Sequence, residues 1–289
     1  MAQALIEAAR RWRDAGRPAV AVAVQRCRGS VPREAGTRML VAADEVLGTI
    51  GGGHLEWQAI ADARALLAGG GAPFVQHIAL GPTLGQCCGG ALDLRFATLA
   101  DDDPADWPLP APRFALQLYG AGHVGRAIAR LLAGIDCRVQ WIDERECEFP
   151  AEALPPHIER VCVEPVHAEV ALAPPGAYYL VLTHSHDLDL AITQAILQRA
   201  DFGWFGLIGS RTKRARFEHR LRERGFADPL IEGIVCPIGM PGIVGKEPEV
   251  IAVAVVAQLL QCSARRQSDA PSKRTERADA DGIGQTPSD

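Results

Sequence analysis

No segment of this sequence is apolar enough, over enough length, to cross a bilayer. The longest run, Val250–Leu260, falls well short of the roughly 20 residues a spanning helix needs and reads as a buried helix. A secretory leader is missing too: Arg10, Arg11 and Arg13 follow the apolar residues of the first segment, the reverse of an export signal, so a cytoplasmic, unexported protein with no membrane partner is expected. Excess positive charge is absent. Lys and Arg total 30 against 35 Asp and Glu, a formal net charge of -5, which excludes a broad phosphate-neutralising surface and hence general nucleic-acid binding, though not a small basic pocket. No repeat of solenoid period is present. Eight cysteines in 289 residues, without an export signal, read as reduced thiols rather than as a disulfide framework.

The length implies two domains, and the pattern along the chain supplies them. Residues 1–100 combine an amphipathic first helix, strands at 19–25, 38–42, 45–50, 74–80 and 91–97, and a helix over 54–67. Residues 101–113, DDDPADWPLPAPR, carry acids and four prolines that suppress regular structure and mark a linker. From 114 to 262 strands and helices alternate, which demands a parallel sheet covered by helices. The fold class is therefore α/β, an N-terminal α/β domain followed by a Rossmann-like parallel-sheet domain. Residues 263–289 are polar and expected to be a disordered tail.

Several motifs stand at strand ends. Gly120-Ala-Gly122-His123-Val-Gly125 follows the strand FALQLY and opens a helix, with Asp143 closing the next strand. This is the context a dinucleotide fingerprint requires: one glycine for the turn, one for close approach of a phosphate, one for helix–strand packing, and free amides at the helix start. The plainer reading is that the glycines serve packing only. Gly51-Gly52-Gly53 precedes the helix that begins at His54 and offers a second set of amides for an anion, or merely a sharp turn. Gln86, Cys87 and Cys88 lie between glycines in a loop; two adjacent soft donors suit thiol chemistry, redox sensing or a soft metal better than a strained disulfide between neighbours.

His184 and His186 follow another strand, at the edge where open α/β sheets bind ligands, and on extended backbone they would point the same way. Ser210 is the expected N-cap of a further helix. Arg211, Lys213 and Arg214 in its first turn oppose the helix dipole, which makes an anionic partner for them plausible.

The strings GSVPREAGTRMLV (29–41), GTIGGGHLE (48–56), GQCCGG (85–90), YGAGHVGRAIARLL (119–132), IGSRTKRARF (208–217) and CPIGMPGIVGKEPEVIAVAVVAQLL (236–260), in this order and spacing, resemble the xanthine dehydrogenase accessory protein family, XdhC/CoxI. The resemblance implies a chaperone, not an enzyme. Such a protein holds the molybdenum cofactor as cargo, supports its sulfuration with a cysteine desulfurase and delivers it to apo xanthine dehydrogenase; a homodimer is compatible with this. On the family's motifs, Gln86, Cys87 and Cys88 fall on its double-cysteine loop, with the two thiols as candidate molybdenum contacts. His54 and Glu56 fall on its GGGHLE turn, and Gly120, Gly122 and Gly125 on its Rossmann glycines. Two other readings stand beside it: an NAD(P)-dependent oxidoreductase, resting on the glycine fingerprint and Asp143, and a redox or regulatory module using Cys87 and Cys88.

Overall fold

A computed structural model describes residues 2–80, 89–109 and 111–269. The first half builds a five-stranded antiparallel sheet from β1 (Ala19–Arg28), β2 (Arg38–Ala42), β3 (Val46–Gly48), β4 (Phe74–Ala79) and β5 (Ala91–Thr98), in the order β3-β2-β1-β5-β4. Both faces are covered, and the alternation along β1 shows how. Val20, Val22 and Val24 join Leu55, Ala59, Ala63 and Leu66 of α2 (Gly53–Gly69) on one face. Ala19 and Ala21 turn to the other, where their small side chains admit Ile6, Ala9 and Trp12 of α1 (Ala2–Asp14).

The 101–113 linker is more ordered than its composition suggests. A 3-10 turn, Pro104–Asp106, is capped by Asp103, whose carboxylate accepts from Ala105 N and pairs with Arg13. Trp107 is buried in the core under α1, with the Arg38 guanidinium 5.0 Å from its ring centre. Burial of one indole outweighs the local disfavour of the prolines.

The second half is an all-parallel six-stranded sheet: β6 (Ala115–Tyr119), β7 (Arg138–Asp143), β8 (Ile158–Cys162), β9 (Tyr178–Val181), β10 (Trp204–Leu207) and β11 (Ile234–Val235), ordered β11-β10-β9-β6-β7-β8. This is the doubly wound Rossmann order, and it reverses direction between β6 and β9. Helices α3 (His123–Leu132) and α7 (Pro248–Asp269) cover one face through Ile128, Leu132, Ala252, Val255 and Leu259. The other face packs α4 (His186–Arg199), α5 (Arg211–Glu223) and a 3-10 segment, Val166–Leu172. A short helix α6 (Asp228–Glu232) precedes β11.

Three expectations change. Strand β8 is absent from the sequence reading because its Glu159, Arg160 and Cys162 lie exposed at the sheet edge, where no apolar pattern is imposed. Helix α6 is too short to show a period. The tail does not begin at 263: α7 continues to Asp269, Ser263 is 1% exposed with its hydroxyl donating to Arg113 O, and Arg266 reaches the Gly176 carbonyl and the Tyr178 ring. These contacts across the sheet edge give polar residues the partners their composition did not announce. The rest of the expected tail, from 270 on, lies outside the described residues.

Candidate functional site

The reversal point between β6 and β9 opens at the carboxyl ends of the strands, the edge where doubly wound sheets bind ligands. There a narrow, shallow crevice is lined by Tyr119, Gly120, Ile142, Asp143, Glu144, Val166, Thr183, His184 and Leu188. Four residues singled out in the sequence, Gly120, Asp143, His184 and, through the helix that begins beside them, Gly122, are brought to one place.

The structure separates the three fingerprint glycines by what each is for. Gly120 has φ 118°, and a Cβ there would sit 2.4 Å from Leu182 O; at Gly125 a Cβ would sit 2.1 Å from Gly120 O. Both are demanded by the crossing of β6, α3 and the segment after β9. Gly122 has φ -68° and ψ -171°, which any residue can adopt, and nothing lies within 4 Å of its absent Cβ. Neither packing nor backbone strain explains a glycine here, so its bareness at the N-cap of α3 leaves open space beside the helix amides. His123 opens α3 and is exposed. The loop itself is locked from below: Gly120 N donates to Ile142 O and the Trp141 indole N–H donates to Gly120 O at 3.0 Å. Trp141 is a positioning residue that the sequence alone does not reveal.

Asp143 is buried and saturated. Its Oδ2 accepts from Ala121 N at 2.7 Å and from Arg145, while its Oδ1 accepts from the backbone and side-chain nitrogens of Arg145 at 2.9 Å. Burial alone would raise its pKa; the Arg145 guanidinium and the Ala121 and Arg145 amides outweigh that and hold the carboxyl below its ordinary value. Arg145, in the loop after Asp143, is thus the counter-ion of the strand-end carboxylate. A ribose diol would need acceptor positions that Arg145 and Ala121 already occupy.

His184 and His186 do not share a strand face. Strand β9 ends at Val181, Ser185 caps α4 by accepting from Leu188 N, and His186 is the first residue of the helix. His184 instead sits at the crevice rim, its Nε2 3.6 Å from Glu144 Oε1. Among the described residues no group of three or more His, Cys, Asp or Glu is placed to hold a metal ion.

Ser210 caps α5 as expected, its Oγ accepting from Lys213 N. Two of the three basic residues of the first turn have found their anions within the chain. Lys213 Nζ lies 2.5 Å from Oδ2 of the fully buried Asp189, and Arg214 pairs with Glu218 and donates to Ile234 O. Arg211 is exposed and has no ion pair among the described residues. Asp189 also receives Thr183 N and the Thr183 hydroxyl, so it fixes the loop that lines the crevice. A lone acid inside the apolar run of α4 was the one signal that could have exposed it.

The triple-glycine turn belongs to the antiparallel sheet, and the Gly51 and Gly52 amides are taken within the chain. Glu56 Oε2 accepts from Ile50 N at 3.0 Å and Gly52 N at 3.1 Å, with the Thr49 hydroxyl on the same oxygen, while Gly51 N donates to Thr49 Oγ1. The anion in this cradle is the chain's own carboxylate, a capping arrangement for α2 on which His54 stands exposed. Gln86, Cys87 and Cys88 lie outside the described residues. The ends of their loop do not: Leu80 N donates to Gly90 O, and a Cβ at Gly90 would meet Arg28 O and Ser30 O, each at 2.5 Å. At Gly51 a Cβ would meet Pro32 Cβ at 2.6 Å. The segment Ser30–Pro32 therefore packs against both the stem of the double-cysteine loop and the triple-glycine turn.

Comparison with known proteins agrees with this division. The model of the XdhC Rossmann domain matches residues 116–259, and that of the XdhC and CoxI family matches residues 12–78. The uncharacterized protein YqeB of Escherichia coli K12 is 35% identical over 245 residues, which are 81% of this chain but only 41% of that protein, so the chain spans less than half of this relative's length. A crystal structure described as a xanthine dehydrogenase from Bacillus halodurans superposes with a TM-score of 0.69 at 18% identity, covering 92% of this chain and 98% of that one, a likeness of fold. Among the described residues no helix is long and apolar enough to cross a membrane.

Proposed function

The chain belongs to the XdhC/CoxI family, and on that premise we propose that it is a maturation protein for xanthine dehydrogenase which carries the molybdenum cofactor as cargo rather than using it as a catalyst. The single observation that supports this most is the open backbone at Gly122. The free amides of the first turn of α3 suit a phosphate, which the molybdopterin cargo carries. The crevice beside it has rigid walls, because Trp141, Asp143, Asp189 and Lys213 are all committed to holding its loops. In this reading Cys87 and Cys88 face the metal end of the cargo, a cysteine desulfurase supplies the sulfur, and apo xanthine dehydrogenase receives the product.

Binding of NAD(P) for hydride transfer is the weaker reading, since Asp143 offers a ribose no vacant acceptor. The test is direct. Purified protein and molybdopterin, mixed without oxygen, are expected to co-elute on gel filtration, with retention reduced by Cys87→Ala and by Cys88→Ala. Failure to retain the cargo overturns the carrier reading, and equal retention by both variants removes the thiols from it. Tight binding of NAD or NADP with hydride turnover establishes the alternative instead.

A further inference from the structure

A second cavity lies at the opposite edge of the same sheet from the crevice, under the amino ends of β6 and β7. It measures about 550 Å³ with its open mouth and is lined chiefly by Gln117, Arg138, Gln140, Leu172, Pro174 and Ala177. Its floor is chemically unusual. Central parallel strands are ordinarily apolar on both faces, yet Gln117 is 1% exposed in β6 and pairs in register with Gln140 of β7.

The hydrogen bonds of this pair run in one direction. Burial pushes the Tyr119 hydroxyl far above its ordinary pKa, which keeps it a donor, and it donates to Gln117 Oε1 at 2.8 Å. Both amide hydrogens of Gln117 are then spent, on Glu169 O at 2.7 Å and on Gln140 Oε1 at 3.0 Å. Gln140 is thereby fixed with its oxygen inward and its NH₂ left for the cavity, where it has no partner among the described residues. Two residues earlier on the same strand face, Arg138 lines the cavity with a guanidinium that has no ion pair among the described residues. No acidic side chain contributes to the lining. Leu172, 69% exposed, and Pro174 form the apolar side.

We propose that this cavity is a second binding site, distinct from the crevice, for a small organic carboxylate with a compact apolar body. The two polar side chains left for a ligand, Arg138 and the Gln140 amide, are donors, so the ligand must accept. The planar fork of Arg138 matches a carboxylate in two places, the Gln140 amide supplies a further hydrogen bond, and Leu172 and Pro174 cover the carbon skeleton. The Tyr119–Gln117 chain is the positioning device that orients Gln140.

Sodium benzoate, titrated into the full-length protein by calorimetry and by nitrogen–proton NMR, tests this, with benzyl alcohol as the uncharged counterpart. Saturable benzoate binding is expected, at least tenfold weaker in Arg138→Met and in Gln140→Leu, with benzyl alcohol at least tenfold weaker still in the unaltered protein. Arg138 and Gln140 lie outside the hydrophobic cores, and urea midpoints of both variants check that they fold. No saturable benzoate binding, or binding unchanged in both variants, overturns the site. Neither result bears on cargo binding at the other edge, which is measured separately.

Discussion

Lys213 Nζ sits 2.5 Å from Asp189 Oδ2 and 2.8 Å from the Ile208 carbonyl, so a single ammonium joins the helix after β9 to the loop after β10. A Cβ at Gly209 would lie 2.5 Å from the Lys213 stem, which is why the residue under which the lysine passes is a glycine. Both charges are nearly removed from water, so each depends on the other. Asp189→Ala is expected to cost about 3–5 kcal/mol in urea unfolding, because it strands a buried cation, while the double variant Asp189→Leu/Lys213→Met recovers much of that loss. A double variant no more stable than the single one would show that the pair is not mutually dependent.

The glycines of the fingerprint are expected to part company under mutation. Gly125→Ala and Gly120→Ala force a side chain into backbone and should each cost at least about 1–3 kcal/mol. Gly122→Ala meets nothing and should stay within about 1 kcal/mol of the parent, the loss of a glycine cap included. A bulkier Gly122→Val that folds normally yet no longer retains cargo would separate the ligand role from packing.

Acid stability should carry the signature of Asp143. Its carboxyl is held below the ordinary 3.8 in the folded chain, so its contribution is complete above that value and is lost as pH falls below it, toward the depressed native value. Asp143→Asn is expected to be less stable at pH 7 and to show a flatter dependence of unfolding free energy on pH between roughly 5 and 2. An identical slope in parent and variant would mean that the bonds from Ala121 and Arg145 do not bias its ionisation.

Thiol reactivity should divide by burial. Cys137 is buried and its thiol is pushed up to about 12 by loss of solvent, whereas Cys147 is exposed. Iodoacetamide at pH 8, followed by peptide mass spectrometry, should label Cys147 and leave Cys137 unmodified until the chain unfolds. Early labelling of Cys137 would contradict the packing of that core.

Glu56 gives a smaller effect with a clear origin. Its carboxylate serves Thr49, Ile50 and Gly52 at once, so Glu56→Ala should lower stability by about 1–2 kcal/mol by uncapping α2 and leaving the turn amides unpartnered. No change would mean that water replaces the carboxylate without cost.

Much of the architecture was legible because it is local. The alternation of strand and helix after residue 114, the glycines after β6 and the cap at Ser210 each follow from periodicity or from a backbone requirement within a few residues, and all are found where expected. The site was less legible. The sequence shows glycine-rich turns and charged helix starts, and from these alone each looks like a vacancy for an anion.

What the sequence determined by itself is the fold class, the order of the elements other than β8 and α6, and the set of loops gathered at the strand ends, because hydrophobic period and glycine conformation act over short spans. Which of those loops remain open was decided by tertiary structure. Glu56 takes amides of the triple-glycine turn, Arg145 and Ala121 saturate Asp143, Asp189 takes Lys213, and Gly122 keeps its space. The physical reason is that hydrogen-bond capacity is spent between residues far apart in the chain, and a donor or acceptor already used inside the fold is unavailable to any ligand.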